Sequence, residues 1–338
     1  MSPRRLIGVV TGLVVFALLV MAGALAIGPV RLGPGEILAA LLGRSAMAEP
    51  LAPTVVLQLR LPRILLAALA GAGLAVAGAS FQALTRNPLA DPSLLGVSSG
   101  AAFGVVLAQV LGLGPTPFGF IGLTGFAFLG ALLAASLVYA IARIGALLPI
   151  QTLLLAGVIV GLFFSSAITL MISLVDFMRL GAILQWLMGS FTTASYRALG
   201  LLALGLAIGI AVVLRQARAL NVLAAGEEAA LQLGVECERV KRLIFLVASF
   251  LTALVVSFCG PVGFVGLIIP HAVRLTLGAD NRLLIPASTV VGAGFLVLAD
   301  ALSRSVIQPS ELPVGVITAL CGAPLFIYLL RTRHARAL

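Results

Sequence analysis

From Arg215 to Arg242 the chain reads RQARALNVLAAGEEAALQLGVECERVKR, the one long charged interruption in a sequence that is 61% hydrophobic and 9% charged. Nine charges fall in these 28 residues: Arg215, Arg218, Glu227, Glu228, Glu236, Glu238, Arg239, Lys241 and Arg242. Apolar runs long enough to cross a bilayer flank it on both sides, so it reads as a loop emerging from a membrane domain. Inside it, Glu227 to Leu233 is a candidate helix. Two acids occupy the first turn, where they complement the helix dipole, and Gly234 stands where a C-terminal cap is wanted. Ala229, Ala230 and Leu233 recur at helical spacing and predict a small apolar stripe. A short amphipathic helix of this kind packs on its own membrane domain or docks into a partner.

Outward from this loop the pattern is apolar throughout. Ten spans are predicted, at 6–28, 60–84, 94–113, 118–142, 150–173, 194–214, 243–260, 264–278, 284–304 and 312–330, each near the ~20 residues a transmembrane helix requires. The expectation is an all-α polytopic membrane protein, one transmembrane domain over residues 1–338, with a loop at about 215–242. The run from Leu6 to Val30 far exceeds the ~7–15 residues of a signal-peptide core, so it is read as a retained first span. With the N-terminus in the cytoplasm, both termini and the charged loop lie inside. That topology puts 14 of the 21 Lys and Arg inside and 7 outside, which agrees with the positive-inside rule. The net charge of +10 sits at the ends of apolar runs, which suits a membrane surface rather than nucleic acid.

Glycines at 96, 100 and 104, at 157 and 161, and at 205 and 209 form small ridges that let helices approach closely. Prolines at 261, 270 and 286 predict broken or short helices in the last third. The halves 57–173 and 243–330 are candidate inverted repeats, although their sequence similarity is faint.

Several chemistries are poorly served by this sequence. Gly96-Val97-Ser98-Ser99-Gly100 matches the nucleophile-elbow pattern, but it lies in a helical membrane run and the chain has only His271 and His334. The only lysine, Lys241, follows Val240, so no P-loop exists in this chain. Cys237, Cys259 and Cys321 show no paired or metal-ligand spacing. Acids are confined to loops and span ends, which argues against a naked-metal site and against an ion-coupled carrier, the main rival class.

Five motifs then stand in one order: Leu59-Arg60-Leu61-Pro62-Arg63; Asn87 to Gly96 (NPLADPSLLG); Glu228-Ala229-Ala230 with Gly234; Gly260 to His271 (GPVGFVGLIIPH); and Glu311-Leu312-Pro313-Val314-Gly315. Together they resemble the FecCD family, the ABC importer permeases for ferric siderophores, haem and vitamin B12, from about Leu57 to Leu330. The resemblance implies type II ABC importer permease architecture and a homodimer in a bacterial inner membrane. It implies two cytoplasmic ATPase subunits pressing on Gly226, Glu227, Glu228, Ala229, Ala230, Leu233 and Gly234. It also implies a periplasmic binding protein met by Arg60, Arg63 and Arg304, and a passage near Met178 and Arg179. No catalytic residue, metal site or permanently bound cofactor is expected, ATP being held by the partner subunit. Haem is the first cargo expected, then a ferric siderophore, with vitamin B12 as the alternative.

Overall fold

A computed structural model describes residues 3–28, 30, 32–43, 51–113, 122–191, 195–307 and 310–334. These residues form α1 (Pro3–Ala26), α2 (Pro34–Leu41), α3 (Leu61–Thr85), α4 (Val97–Val110), α5 (Gly122–Ala142), α6 (Ile150–Leu174), α7 (Phe177–Leu187), α8 (Tyr196–Arg215), α9 (Ala217–Ala224), α10 (Glu227–Gln232), α11 (Cys237–Cys259), α12 (Val265–Leu277), α13 (Asn281–Ser303) and α14 (Val314–His334). A π-helical turn, Thr54–Arg60, leads into α3, and a 3-10 turn, Pro92–Leu95, precedes α4. Among the described residues, seven helices are long and apolar enough to cross a membrane, and α4, α12 and the first part of α14 are shorter apolar helices. Each of the ten predicted spans has its helix. Residues 118–121 of the fourth and residue 194 of the sixth lie outside the described residues.

α3 is the centre of the bundle. Its sequence, LPRILLAALAGAGLAVAGASFQALT, is nearly all small or aliphatic, and it packs against α8, α11, α12 and α13. Two of its glycines are required by backbone contact. A Cβ on Gly71 would stand 2.0 Å from the Gly292 carbonyl oxygen, and one on Gly78 would stand 1.9 Å from that of Gly266. Lipid gives helices no hydrophobic reason to associate, so close approach and dispersion must hold them. Gly100 belongs to the same device: a Cβ there would meet the Gly130 carbonyl oxygen at 2.4 Å. The elbow-like Gly96–Gly100 stretch is therefore a turn into α4 and a packing ridge.

The pairing of helices repeats in two halves. α3 packs on α12 and α13 as α11 packs on α4 and α5, and α5–α6 contact is matched by α13–α14. In each half the second helix is short, 14 residues in α4 and 13 in α12. A non-helical segment leads into each, 86–96 and 260–264, the first closed by the 3-10 turn. Such backbone is tolerable in a membrane only where protein satisfies it. Within the first turn of α12, where Pro270 has no N–H to offer Gly266, Gln82 donates from Nε2 to the carbonyls of Gly266 (3.3 Å) and Leu267 (3.0 Å). Phe264 holds φ 69° at the start of α12, and Gly260 holds φ 73° at the end of α11.

The seventh span departs from its expected bounds. α11 starts at Cys237 rather than near 243, so Glu238, Lys241 and Arg242 are helical. Their charges read as loop, yet Glu238 and Lys241 form an i,i+3 pair that suits a helix. The charged loop lies where α3 ends and α13 begins; α1 begins and α14 ends at that same end of the bundle.

Candidate functional site

The loop between α8 and α11 folds into two short helices separated by Gly226, whose φ of 128° requires glycine. Gly234 closes α10 at φ 76°, also in the left-handed region. Ala230 does not join an outward stripe. It is buried against Leu223 of α9 and Cys237 of α11, with Val222 and Val235 packed around them. The outward face of α10 is instead Glu228, Leu231, Gln232 and Leu233, with Leu231 62% and Leu233 71% exposed. Ala229 is half-buried between the two faces.

Charges fix the loop to the bundle. Glu227 accepts from the Lys241 ammonium at 3.0 Å and faces the Arg86 guanidinium at 3.9 Å. Arg86 itself caps the end of α3 at φ 52°. On α9, Asn221 donates to Asp280 at 2.7 Å and accepts from the backbone and side-chain nitrogens of Asn281, each at 2.8 Å. The Arg282 guanidinium, helped by the Asn221 amide, holds the Asp280 carboxyl well below the usual carboxylate range.

At the opposite end, three arginines gather around α1, α3 and α13. Arg60 donates to the Leu25 carbonyl at 2.6 Å and to that of Val30. Arg304 donates to Ile27 at 2.9 Å and to Asp300 at 3.1 Å. Arg63 bridges Asp300 and Glu311, each at 2.7 Å. Arg60, Arg63 and Arg304, the residues expected to meet a binding protein, thus lie together and are engaged by groups of their own chain. Arg60 and Arg304 are 4% exposed, and both cap carbonyls at the end of α1. Only Glu311 stands substantially in solvent.

In the first turn of α7, Arg179 pairs with Asp176 at 3.4 Å and donates to the carbonyls of Gln109 (3.2 Å) and Val110 (3.1 Å). It closes the C-terminal end of α4 while Asp176 caps α7. Met178 lies on α7, and its side chain is outside those described.

Over residues 13–332 the sequence matches the FecCD transport family. This chain belongs to the FecCD family. FecCD proteins are permease subunits of ABC importers, with ATP hydrolysed on a separate subunit, and this chain is a multi-pass permease of that kind. It is 48% identical over 287 residues to the cobalamin import system permease BtuC of Halobacterium salinarum, covering 85% of this chain and 76% of that one. It is 39% identical over 285 residues to the hemin transport system permease HmuU of Yersinia pestis, covering 83% and 84%. Its fold superposes on a metal-chelate type ABC transporter in an inward-facing conformation with a TM-score of 0.85 and 33% identity, covering 96% of this chain and 99% of that one.

For a FecCD permease, the α9–α10 loop has the features of a contact surface: an apolar pair beside an acid, on a helix braced from behind by buried charge. Leu233 was among the residues expected here, and Leu231 could have been found in sequence by extending the helical wheel past Ala230. The ion pair behind it could not, because Glu227 and Lys241 are joined only once the loop has folded.

Proposed function

We propose that this permease works as a homodimer in a bacterial inner membrane, with the α9–α10 loop and both termini in the cytoplasm. Two ATPase subunits receive Glu228, Leu231 and Leu233 of each α10, and a periplasmic binding protein delivers cargo at the opposite end. The two-to-one excess of Lys and Arg on the loop side supports this orientation. The outward Leu231 and Leu233 support the docking surface: exposed leucines outside the spans are best explained by a partner.

The cargo is a metal chelate carried intact, a corrinoid first and haem second. One observation carries this reading: 48% identity to a cobalamin permease against 39% to a hemin permease. The expectation from sequence put haem first and vitamin B12 as the alternative, and the motifs do not separate the two. The chain itself performs no covalent chemistry and binds no permanent cofactor; shape and weak contacts pass the chelate, and ATP on the partner drives the cycle. Membrane reconstitution with the cognate ATPase and binding protein tests the cargo. Cobalamin is expected to stimulate ATP hydrolysis more than haem or a ferric siderophore. Stimulation by the siderophore alone contradicts the tetrapyrrole reading.

A further inference from the structure

Behind α10 lies an arrangement that docking does not require. Lys241 is the chain's only lysine, and its side chain is 4% exposed. Its ammonium sits between Glu227 of α10, at 3.0 Å, and Glu238 one turn earlier on α11. Glu238 reaches further. Its Oε2 accepts the backbone N–H of Leu148 at 2.7 Å. Leu148 is buried, and Pro149 follows it as the N-cap of α6. Carboxylate, ammonium, carboxylate and amide thus form one unbroken chain from the loop helix to the start of a membrane span.

We propose that Lys241 is a positioning residue that joins α10 and the start of α6 into one mechanical unit, so that displacement of the loop helix is carried into the membrane. The proposal rests on α10 being the ATPase-docking helix. α10 has six residues, too few to hold a helix unaided, so any push on it must pass through its anchors. There are three. Ala230 clusters with Leu223 and Cys237, which keeps that anchor within the loop and the first turn of α11. Arg86 meets Glu227 at the long distance of 3.9 Å, with both side chains substantially exposed, where an ion pair is weak. The Lys241 bridge is short and buried, and it alone leads to α6. α6 in turn packs on α4, α5 and the 3-10 turn before α4. Removing the ammonium leaves Glu227 and Glu238 facing each other with like charge, which drives α10 away from α11.

The test uses the full permease with its ATPase and binding protein, comparing Lys241→Met with Lys241→Arg. Methionine keeps the apolar stem and loses the charge; arginine restores the bridge. In proteoliposomes, cargo moved per ATP hydrolysed is expected to fall about tenfold in Lys241→Met and to return within about twofold in Lys241→Arg. Spin labels at Leu231 and Gln151, in a Cys321→Ser background, report whether the two helices move together. A single narrow distance that nucleotide does not change is expected with Lys241, and a broad distribution in Lys241→Met. A wild-type transport ratio or a narrow distance in Lys241→Met overturns the proposal. If that variant fails to fold, Glu238→Gln keeps an acceptor for Leu148 while losing the charge, and a wild-type ratio there overturns it equally. Cross-linking from Leu231→Cys to the ATPase separates the two ideas. No cross-link removes the docking reading, whereas a cross-link with an unchanged transport ratio removes only the bridge.

Discussion

Asp300→Asn is the perturbation that weighs most on the far end of the bundle. Asp300 is fully buried, with Arg63 at 2.7 Å and Arg304 at 3.1 Å. Three arginines there face two carboxylates, Asp300 and Glu311. Asparagine would leave three cations against one, two of them nearly sealed from water. Removing one partner of a buried pair costs roughly 3–5 kcal/mol. Arg63 keeps Glu311, and the asparagine oxygen still accepts a hydrogen bond, so about 2–4 kcal/mol is the expected loss. For a chain of 338 residues that is a fall of about 3–6 °C in melting temperature. The buried thiols of Cys237 and Cys259 provide the assay. In a Cys321→Ser background, a thiol-reactive dye labels them only as the bundle opens. Arg239→Ala is the control, because its pair with Glu236 is 3.6 Å long and exposed, worth about 0–1 kcal/mol. If Asp300→Asn melts within about a degree of that control, the arginines are not a buried clamp, and the reasoning fails.

Further outcomes are expected elsewhere. Gly71→Ala puts a carbon 2.0 Å from a carbonyl oxygen where ordinary contact begins near 3.4 Å, so overpacking of about 1–3 kcal/mol or more should outweigh the gain of up to ~1 kcal/mol from alanine's helix propensity. Gly200→Ala, with nothing within 4 Å of the new carbon, should be neutral or slightly stabilising in the same dye assay; equal effects would refute the close-packing account. Leu231→Asp should weaken capture of the ATPase at least about tenfold, read by titrating the ATPase onto the permease in nanodiscs, and Glu228→Arg should weaken it in the same direction. Unchanged affinity in both would remove the docking face. Asp280 has its carboxyl held low in the fold, so its stabilising contribution is full above the unfolded pKa near ~3.9 and fades as pH falls below that value. Acid melts of Asp280→Asn should therefore lose part of the decline seen below about pH 4 in the parent protein; identical acid limbs would mean the α9–α13 clamp does not depend on this charge.

Helical character was legible because lipid demands long apolar segments, and those are local patterns. The short α12 was visible after Pro261, but α4 was expected over 94–113 and spans only Val97–Val110, and Pro270 and Pro286 lie inside α12 and α13 rather than breaking them. The loop was legible as the one place where charge accumulates. What escaped were contacts between distant residues. Arg63 meets partners 237 and 248 positions away, a clamp that no local pattern shows. Arg179, near a span end, turned out to cap α4 through carbonyls about 70 positions earlier. Ala230 and Leu231 are adjacent and equally apolar in pattern. Only the fold of α9 onto α11 decides that the first is buried and the second faces out.

Transport in sealed proteoliposomes, with the ATPase and binding protein present and a proton and sodium gradient imposed, tests the central claim most directly. Uptake of the metal chelate should require ATP and the ATPase and should persist when ionophores collapse both gradients. Uptake that continues without the ATPase and stops with the ionophores would make the chain an ion-coupled carrier and contradict the account.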